Sequence, residues 1–366
     1  MLTMDRRLFQ TYSDPGLCRE LADKIRASLK GRMRFMEVCG THTVSIYQSG
    51  LRSLLPPGVE HVSGPGCPVC VTHAREVAAV LELALNPSVM VVTFGDMMRV
   101  PDSRGRNLKQ IQAQGGEVRI CNSPLEALHL ARTNPGREVV FLGVGFETTA
   151  PGVAATLQQA GAEGLQNFSL LSCHKLIPPA LRFLLHSQDV QVDAFLLPGH
   201  VSTVIGLEPY GFLAHEFGVP AVVAGFEPAD ILMALYALAR QLTGGRAEVE
   251  NAYPRAVKDE GNRAALAVMQ EVFVTADVEW RGLGLIEDSG LFLRPEYDGF
   301  DAWTKFGLMG IEDGEPPGCR CGQVLKGVLK PGQCPLFGGK CTPSYPVGPC
   351  MVSTEGSCAA VFRYGM

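Results

Sequence analysis

The stretch Gly64-Pro65-Gly66-Cys67-Pro68-Val69-Cys70 lies between a short apolar run, Val59 to Val62, and a helical pattern that opens near Thr72. It puts two thiols one helical turn apart, where a strand ends and a helix begins. A C-x-x-C at such a junction can cycle as a disulfide or offer two thiolates to a soft metal. The ordinary alternative, two small residues packed beside a loop, suits Pro-Gly-Cys-Pro poorly, because that sequence makes a rigid exposed turn. Cys70 stands just before the helix, where the dipole and free N–H groups lower a thiol's pKa.

The same cadence of apolar run, turn and helical periodicity extends in both directions. Upstream, Arg34 to Val38 reads as a strand and Cys39-Gly40-Thr41-His42-Thr43 as its exit turn, with Val44, Tyr47, Leu51 and Leu54 on one helical face. Downstream, Val89 to Thr93 is a strand ending in Phe94-Gly95-Asp96, and Val118 to Cys121 is another. After Asn134-Pro135-Gly136 the scheme repeats. Val139 to Val144 leads into Gly145-Phe146-Glu147-Thr148-Thr149-Ala150-Pro151, and Phe168 to Ser172 into Cys173-His174-Lys175. Ala194 to Leu197 leads into Pro198-Gly199-His200-Val201-Ser202, and Val219 to Ala224 into a helix over Ile231 to Leu242.

Alternating strands and helices imply an α/β chain with parallel sheets. The repeated cadence predicts two similar α/β domains, 32–134 and 135–244. An accessory helix within 1–31 and a C-terminal part, 245–366, complete the chain. The latter is expected to hold one helix, Asn262 to Val272, and strands at Leu283 to Ile286 and Leu291 to Leu293. In open α/β sheets ligands bind outside the carboxyl ends of the strands. Cys39, Cys67, Cys70, Asp96, Glu147, His174 and His200 are therefore expected to line one cleft between facing domains.

With 366 residues, 46% hydrophobic and 19% charged, the chain reads as globular, with two or three domains. A net charge of −5 and a pI near 5.9 give no electrostatic footprint for nucleic acid or an anionic membrane. No window holds the ~18 apolar residues of a membrane span, and the first ten residues lack the apolar core of a signal peptide. A cytoplasmic location is expected. In a reducing compartment twelve cysteines argue for metal or redox chemistry rather than structural disulfides.

Six of the twelve, Cys319, Cys321, Cys334, Cys341, Cys350 and Cys358, fall in a tail rich in glycine and proline. Such a segment cannot bury a sizeable core of its own, so cross-links or a metal centre must order it. The spacing matches no zinc ribbon, whereas four thiolates on irregular loops suit a [4Fe–4S] cluster. Spacing does not say which four ligate. If they are Cys334, Cys341, Cys350 and Cys358, the close pair Cys319/Cys321 is left as redox thiols.

Among the other candidates, a lone Cys39 at a strand end is most often inert core. Gly40 permits close approach there, and His42 adds a polar neighbour. Three thiols from two adjacent loops suit iron. Glu147 is either a general acid/base or a first-turn glutamate favoured by the helix dipole, and His174 and His200 share that ambiguity. Cys18, Cys121 and Cys173 read as core. No phosphate loop follows a strand and no Ser/His/Asp ordering appears, which disfavours nucleotide binding and hydrolysis.

Taken together, Cys39-Gly-Thr-His42, Gly64-Pro-Gly-Cys-Pro-Val-Cys70, Gly145-Phe-Glu-Thr-Thr-Ala-Pro151, Pro198-Gly-His-Val-Ser202 and the cysteines from Cys319 to Cys358 resemble the HypD family of hydrogenase maturation proteins. The resemblance spans nearly the whole chain, with no departure at these motifs. It implies two α/β domains related by a pseudo-twofold, plus a third domain carrying a [4Fe–4S] cluster among the six C-terminal cysteines. It implies work on the Fe(CN)2CO unit of [NiFe] hydrogenases in complex with a small HypC-type chaperone, with cyanide delivered by a HypE-type donor. The family's iron-site cysteines correspond to Cys39, Cys67 and Cys70, with Cys39 the direct ligand shared with the chaperone. The expected function is thus an iron-assembly scaffold with a redox role. Its rivals are a thiol–disulfide reductase fed by the cluster and a zinc-stabilised interaction protein.

Overall fold

The computed structural model describes residues 11–365. The part of the expected N-terminal helix that falls on residues 1–10 lies outside them. From there the chain forms a helix over Pro15–Ser28, started by Asp14, whose carboxylate accepts the Leu17 N–H at 2.8 Å. Its buried stripe, Cys18, Leu21, Ala22 and Ile25, packs on the helix Pro228–Thr243.

Two parallel sheets follow. One contains β1 (Met33–Glu37), β2 (Val59–Ser63), β7 (Ala194–Pro198), β8 (Ala221–Ala224) and β9 (Val249–Asn251), in the order β2-β1-β7-β8-β9. The other contains β3 (Val89–Thr93), β4 (Val118–Ile120), β5 (Glu138–Gly143) and β6 (Phe168–Ser172), in the order β4-β3-β5-β6. Within each sheet the first strand sits beside the second on one side and the third on the other, so both are wound alike. Strands β3, β6, β7 and β8 are buried along their whole length, which explains why they read as unbroken apolar runs.

The expected pair of similar α/β units is present, but strand pairing does not follow the split at 134/135. β1 and β2 share a sheet with β7, β8 and β9, joined through the β1–β7 pair, and the stretch holding β3 to β6 is inserted between them. Alternating strands and helices demand parallel pairing without naming the partner, so the periodicity carries no signal for this interleaving.

The C-terminal region departs further. A long antiparallel hairpin, β10 (Phe273–Trp280) with β11 (Gly284–Leu293), replaces the two short strands expected at 283–286 and 291–293. β10 escaped notice because most of its side chains are at least partly exposed, leaving Phe273 and Trp280 as its buried ends. The expected helix appears as Arg263–Val272. Beyond the hairpin come short helices, including Cys321–Leu325, Pro349–Val352 and Ser357–Tyr364, joined by turns. Among the described residues no helix is long and apolar enough to cross a membrane.

Candidate functional site

Winding of the first kind of sheet creates a switch point where the chain leaves in opposite directions from adjacent strands, and ligand sites favour the carboxyl side of that point. In the five-stranded sheet it falls between β1 and β7, whose exits carry Cys39 and His200. In the four-stranded sheet it falls between β3 and β5, whose exits lead to Asp96 and Glu147.

Cys39 caps the helix Gly40–Gln48 with extended backbone, φ −150°. Its N–H donates to Glu37 Oε2 at 2.9 Å, and Thr43 donates its hydroxyl to the other oxygen, so this fully buried carboxylate is satisfied from within the turn. The loop bearing Cys67 lies directly on this turn. Gly64 N–H donates to the Glu37 carbonyl and Gly40 N–H to the Gly66 carbonyl, each at 2.8 Å. A Cβ at Gly66 would overlap the Val38–Cys39 backbone, so only glycine lets the two loops close to this distance. Cys39 and the C-x-x-C loop, distant in sequence, are thereby held against each other.

Cys67 and Cys70 are joined as a disulfide with Cα atoms 5.2 Å apart. Cys67, rather than Cys70, holds the helix N-terminus: it caps Pro68–Val71, and its sulfur accepts the Cys70 N–H at 3.3 Å. Cys70 sits within that short helix, because the next long helix, Ala74–Leu85, is capped separately by His73.

The Cys39 turn is covered rather than open. Thr41 Oγ1 donates to Glu355 Oε1 at 2.8 Å, and the Glu355 side chain and carbonyl fill the space where a Gly40 side chain would go. Ser353 Oγ donates to Asp96 Oδ2 at 2.9 Å, tying the same segment to the exit of β3. Cys39 is left 7% exposed. Burial pushes its thiol up to about 12, opposed by the His42 and Thr41 N–H groups and assisted by the charges of Glu355 and Glu37. Burial also raises the Glu355 carboxyl, against the hydrogen bond from Thr41.

His42 is fully buried, with Nε2 2.9 Å from the Gly225 carbonyl. A carbonyl only accepts, so that nitrogen carries the proton and Nδ1, which has no partner, is the basic atom. Burial lowers its pKa to about 4. Phe226 lies between this ring, tilted against it at a centroid distance of 4.8 Å, and the exposed His200, on which it stacks at 4.0 Å.

The single expected cleft does not hold for every residue assigned to it. Glu147 accepts the Ile177 N–H at 2.9 Å through Oε1, while Oε2 is buried without a partner and burial raises its pKa to about 7. It lines a separate groove with Pro178, Ile205 and Phe273. His174 is buried 3.3 Å from Ser172 Oγ, its pKa lowered by burial to about 3, beside a buried Lys175–Glu76 ion pair. It lines another pocket with His73 and Trp303. The insertion of β3–β6 sends these two strand exits to different neighbours.

All six C-terminal cysteines line one tight cavity of about 20 Å³, with Leu336, Phe337 and Met351. Cys321 and Cys350 approach to 2.7 Å between sulfurs, so the Cys319/Cys321 pair is not set apart from the others. Cys321, Cys341, Cys350 and Cys358 are buried; Cys319 and Cys334 are partly exposed. Among the described residues no group of three or more His, Cys, Asp or Glu side chains stands in ready metal-ligating geometry. The donor set nonetheless fits a soft iron–sulfur centre: only sulfur ligands converge, and the remaining lining is mostly apolar. The helix Pro349–Val352, which carries Cys350, packs on Pro68–Val71, which carries Cys70. The two thiol sites are therefore neighbours.

Sequence reading missed Glu355 and Arg281. Glu355 had a weak signal, a carboxylate in a small-residue turn between Cys350 and Cys358. Arg281 had none.

The chain matches the HypD family, described as the hydrogenase formation hypA family, over residues 16–365. It is 49% identical over 347 residues to the hydrogenase maturation factor HypD of Escherichia coli K12, covering 94% of this chain and 93% of the relative. Against the hydrogenase maturation factor HypD of Rhodobacter capsulatus it is 47% identical over 368 residues, 97% of each. The hydrogenase expression/formation protein HupD of Azotobacter chroococcum is 45% identical, covering 97% of this chain and 96% of that one. With motifs, paired sheets and full-length similarity in agreement, this chain belongs to the HypD family of hydrogenase maturation factors.

Proposed function

We propose that the chain is a scaffold on which, together with a small HypC-type chaperone, the Fe(CN)2CO unit of [NiFe] hydrogenases is assembled, with cyanide handed over by a HypE-type donor. One observation carries the reading: the Gly66 backbone lies against Val38–Cys39, so a strand-end thiol and a C-x-x-C pair share one junction. Iron is the cargo. Cys39 would offer it a thiolate, and a cation arriving at the sulfur supplies the drive to release a proton that burial otherwise holds. The Thr41–Glu355 contact must open first, because it covers the turn. His42 is kept neutral with Nδ1 free to accept, and His200 occupies the solvent side of the same aromatic stack. Cys67 and Cys70 can store two electrons as a dithiol. A [4Fe–4S] centre held among the six C-terminal cysteines would supply one-electron transfer when bound.

Substituting Cys39→Ala and co-purifying the chain with its chaperone tests the ligand role. The expected result is loss of bound iron and of the cyanide infrared bands. Unchanged iron content and unchanged bands refute it. The disulfide between Cys67 and Cys70 favours a second reading, a thiol–disulfide reductase. Turnover of a model disulfide by the chain alone, without the chaperone, would select that one.

A further inference from the structure

The turn joining β10 to β11 holds Arg281, a charged side chain with no solvent exposure. Its backbone N–H donates to the Val71 carbonyl at 3.0 Å, and its Nε to the Thr72 carbonyl at 2.8 Å. These are the two residues that follow Cys70. Its Nη1 donates to Glu315 Oε2 at 2.8 Å, while Nη2 is buried and finds no partner. The next residue, Gly282, has φ +72° and lies backbone to backbone on Gly322, the neighbour of Cys321. A Cβ on either glycine would collide with the other. One buried cation is thus wedged between the two thiol sites, ion-paired to Glu315, whose side chain is 40% exposed.

Burying a guanidinium whose Nη2 group has no partner is costly, and a partner carboxylate in contact with water offsets only part of its field. The residual charge sits against the two residues that follow Cys70, next to the pair on which negative charge appears on reduction. We infer that Arg281 positions the Cys67–Cys70 loop and sets the ease with which that disulfide is reduced, with Glu315 governing how much of the arginine's charge is felt. In the step concerned, a dithiol reductant gives up two electrons and becomes a disulfide, releasing its protons. The Cys67–Cys70 bond breaks; one sulfur takes a proton and the other remains a thiolate. A cation nearby favours that thiolate and so favours the reduced pair. The inference rests on the proposal that Cys67 and Cys70 cycle.

The experiment is a redox titration of the full chain in dithiothreitol buffers, with Cys67 and Cys70 trapped by alkylation and counted by mass spectrometry. Arg281→Gln is expected to lower the equilibrium constant for reduction about tenfold, about 30 mV for a two-electron couple. Arg281→Lys should stay within about threefold of the parent, because the charge survives. Glu315→Gln should shift the constant the opposite way, upward by about threefold or more, because the counter-charge is gone. A purely structural arginine would not give opposite signs. Shifts in the same direction, or Glu315→Gln leaving the constant within twofold, overturn the inference. If Arg281→Gln does not fold, Glu315→Gln decides alone, since its side chain reaches solvent. A parent chain with no reversible Cys67–Cys70 couple instead removes the cycling on which the inference stands.

Discussion

Glu147 shows what burial without a counter-charge does to a carboxyl. Its pKa rises from an ordinary 4.5 to about 7, so between those values the folded chain keeps a proton that the unfolded chain has lost. Stability contributed by this group is therefore full below about pH 4.5 and falls as pH rises toward 7, by roughly 3 kcal/mol at most. Urea unfolding at pH 5 and pH 8 should show a smaller loss on going to high pH for Glu147→Gln than for the parent. Equal losses would contradict the assignment. Glu355 governs access in the same way that Glu147 governs charge. Glu355→Ala removes the cover over Gly40 and a charge that raises the Cys39 thiol, so both effects act in one direction. Iodoacetamide should label Cys39 in that variant several-fold faster than in the parent, measured by peptide mass spectrometry.

At the level of elements, the junction of β1 with the Cys67 loop depends on one missing methyl group. Gly66→Ala would press a Cβ into the backbone of Val38 and Cys39, and the expected destabilisation is about 1–3 kcal/mol. Gly136→Ala is the matched control: a Cβ there meets nothing within 4 Å, and the change should stay within about 0.5 kcal/mol. Urea midpoints for the two variants decide the matter. Several elements were legible beforehand: β3 and β6 fall on Val89–Thr93 and Phe168–Ser172, since short apolar-rich runs bounded by turn residues read as buried strands. The meeting of Cys39 with the C-x-x-C loop was legible too, because both stand at the carboxyl ends of parallel strands. The covering of Cys39 was not, since Thr41 and Glu355 stand 314 positions apart and neither position shows a periodic pattern. Nor was β10, whose exposed face hides its alternation.

Across the whole molecule, interleaving sets which pieces can stand alone. The stretch 74–187 contains β3 to β6 with their connecting helices, a complete four-stranded sheet. The stretch 32–134 instead holds only the pairs β1–β2 and β3–β4, each a fragment of a different sheet. Expressed separately, the first should melt cooperatively by circular dichroism and the second should not. A cooperative transition in 32–134 alone would mean that the pairing described here does not govern folding.

The cover over Cys39 also orders events in time. A ribosome delivers Cys39 and the neighbouring Thr41 early, and Thr41's partner Glu355 only 314 positions later. A nascent chain thus exposes its strand-end thiol throughout most of translation, and a transcript cut short before Ser353 yields a polypeptide that can never shut it away. Closure of that turn therefore waits until the C-terminal segment has been made.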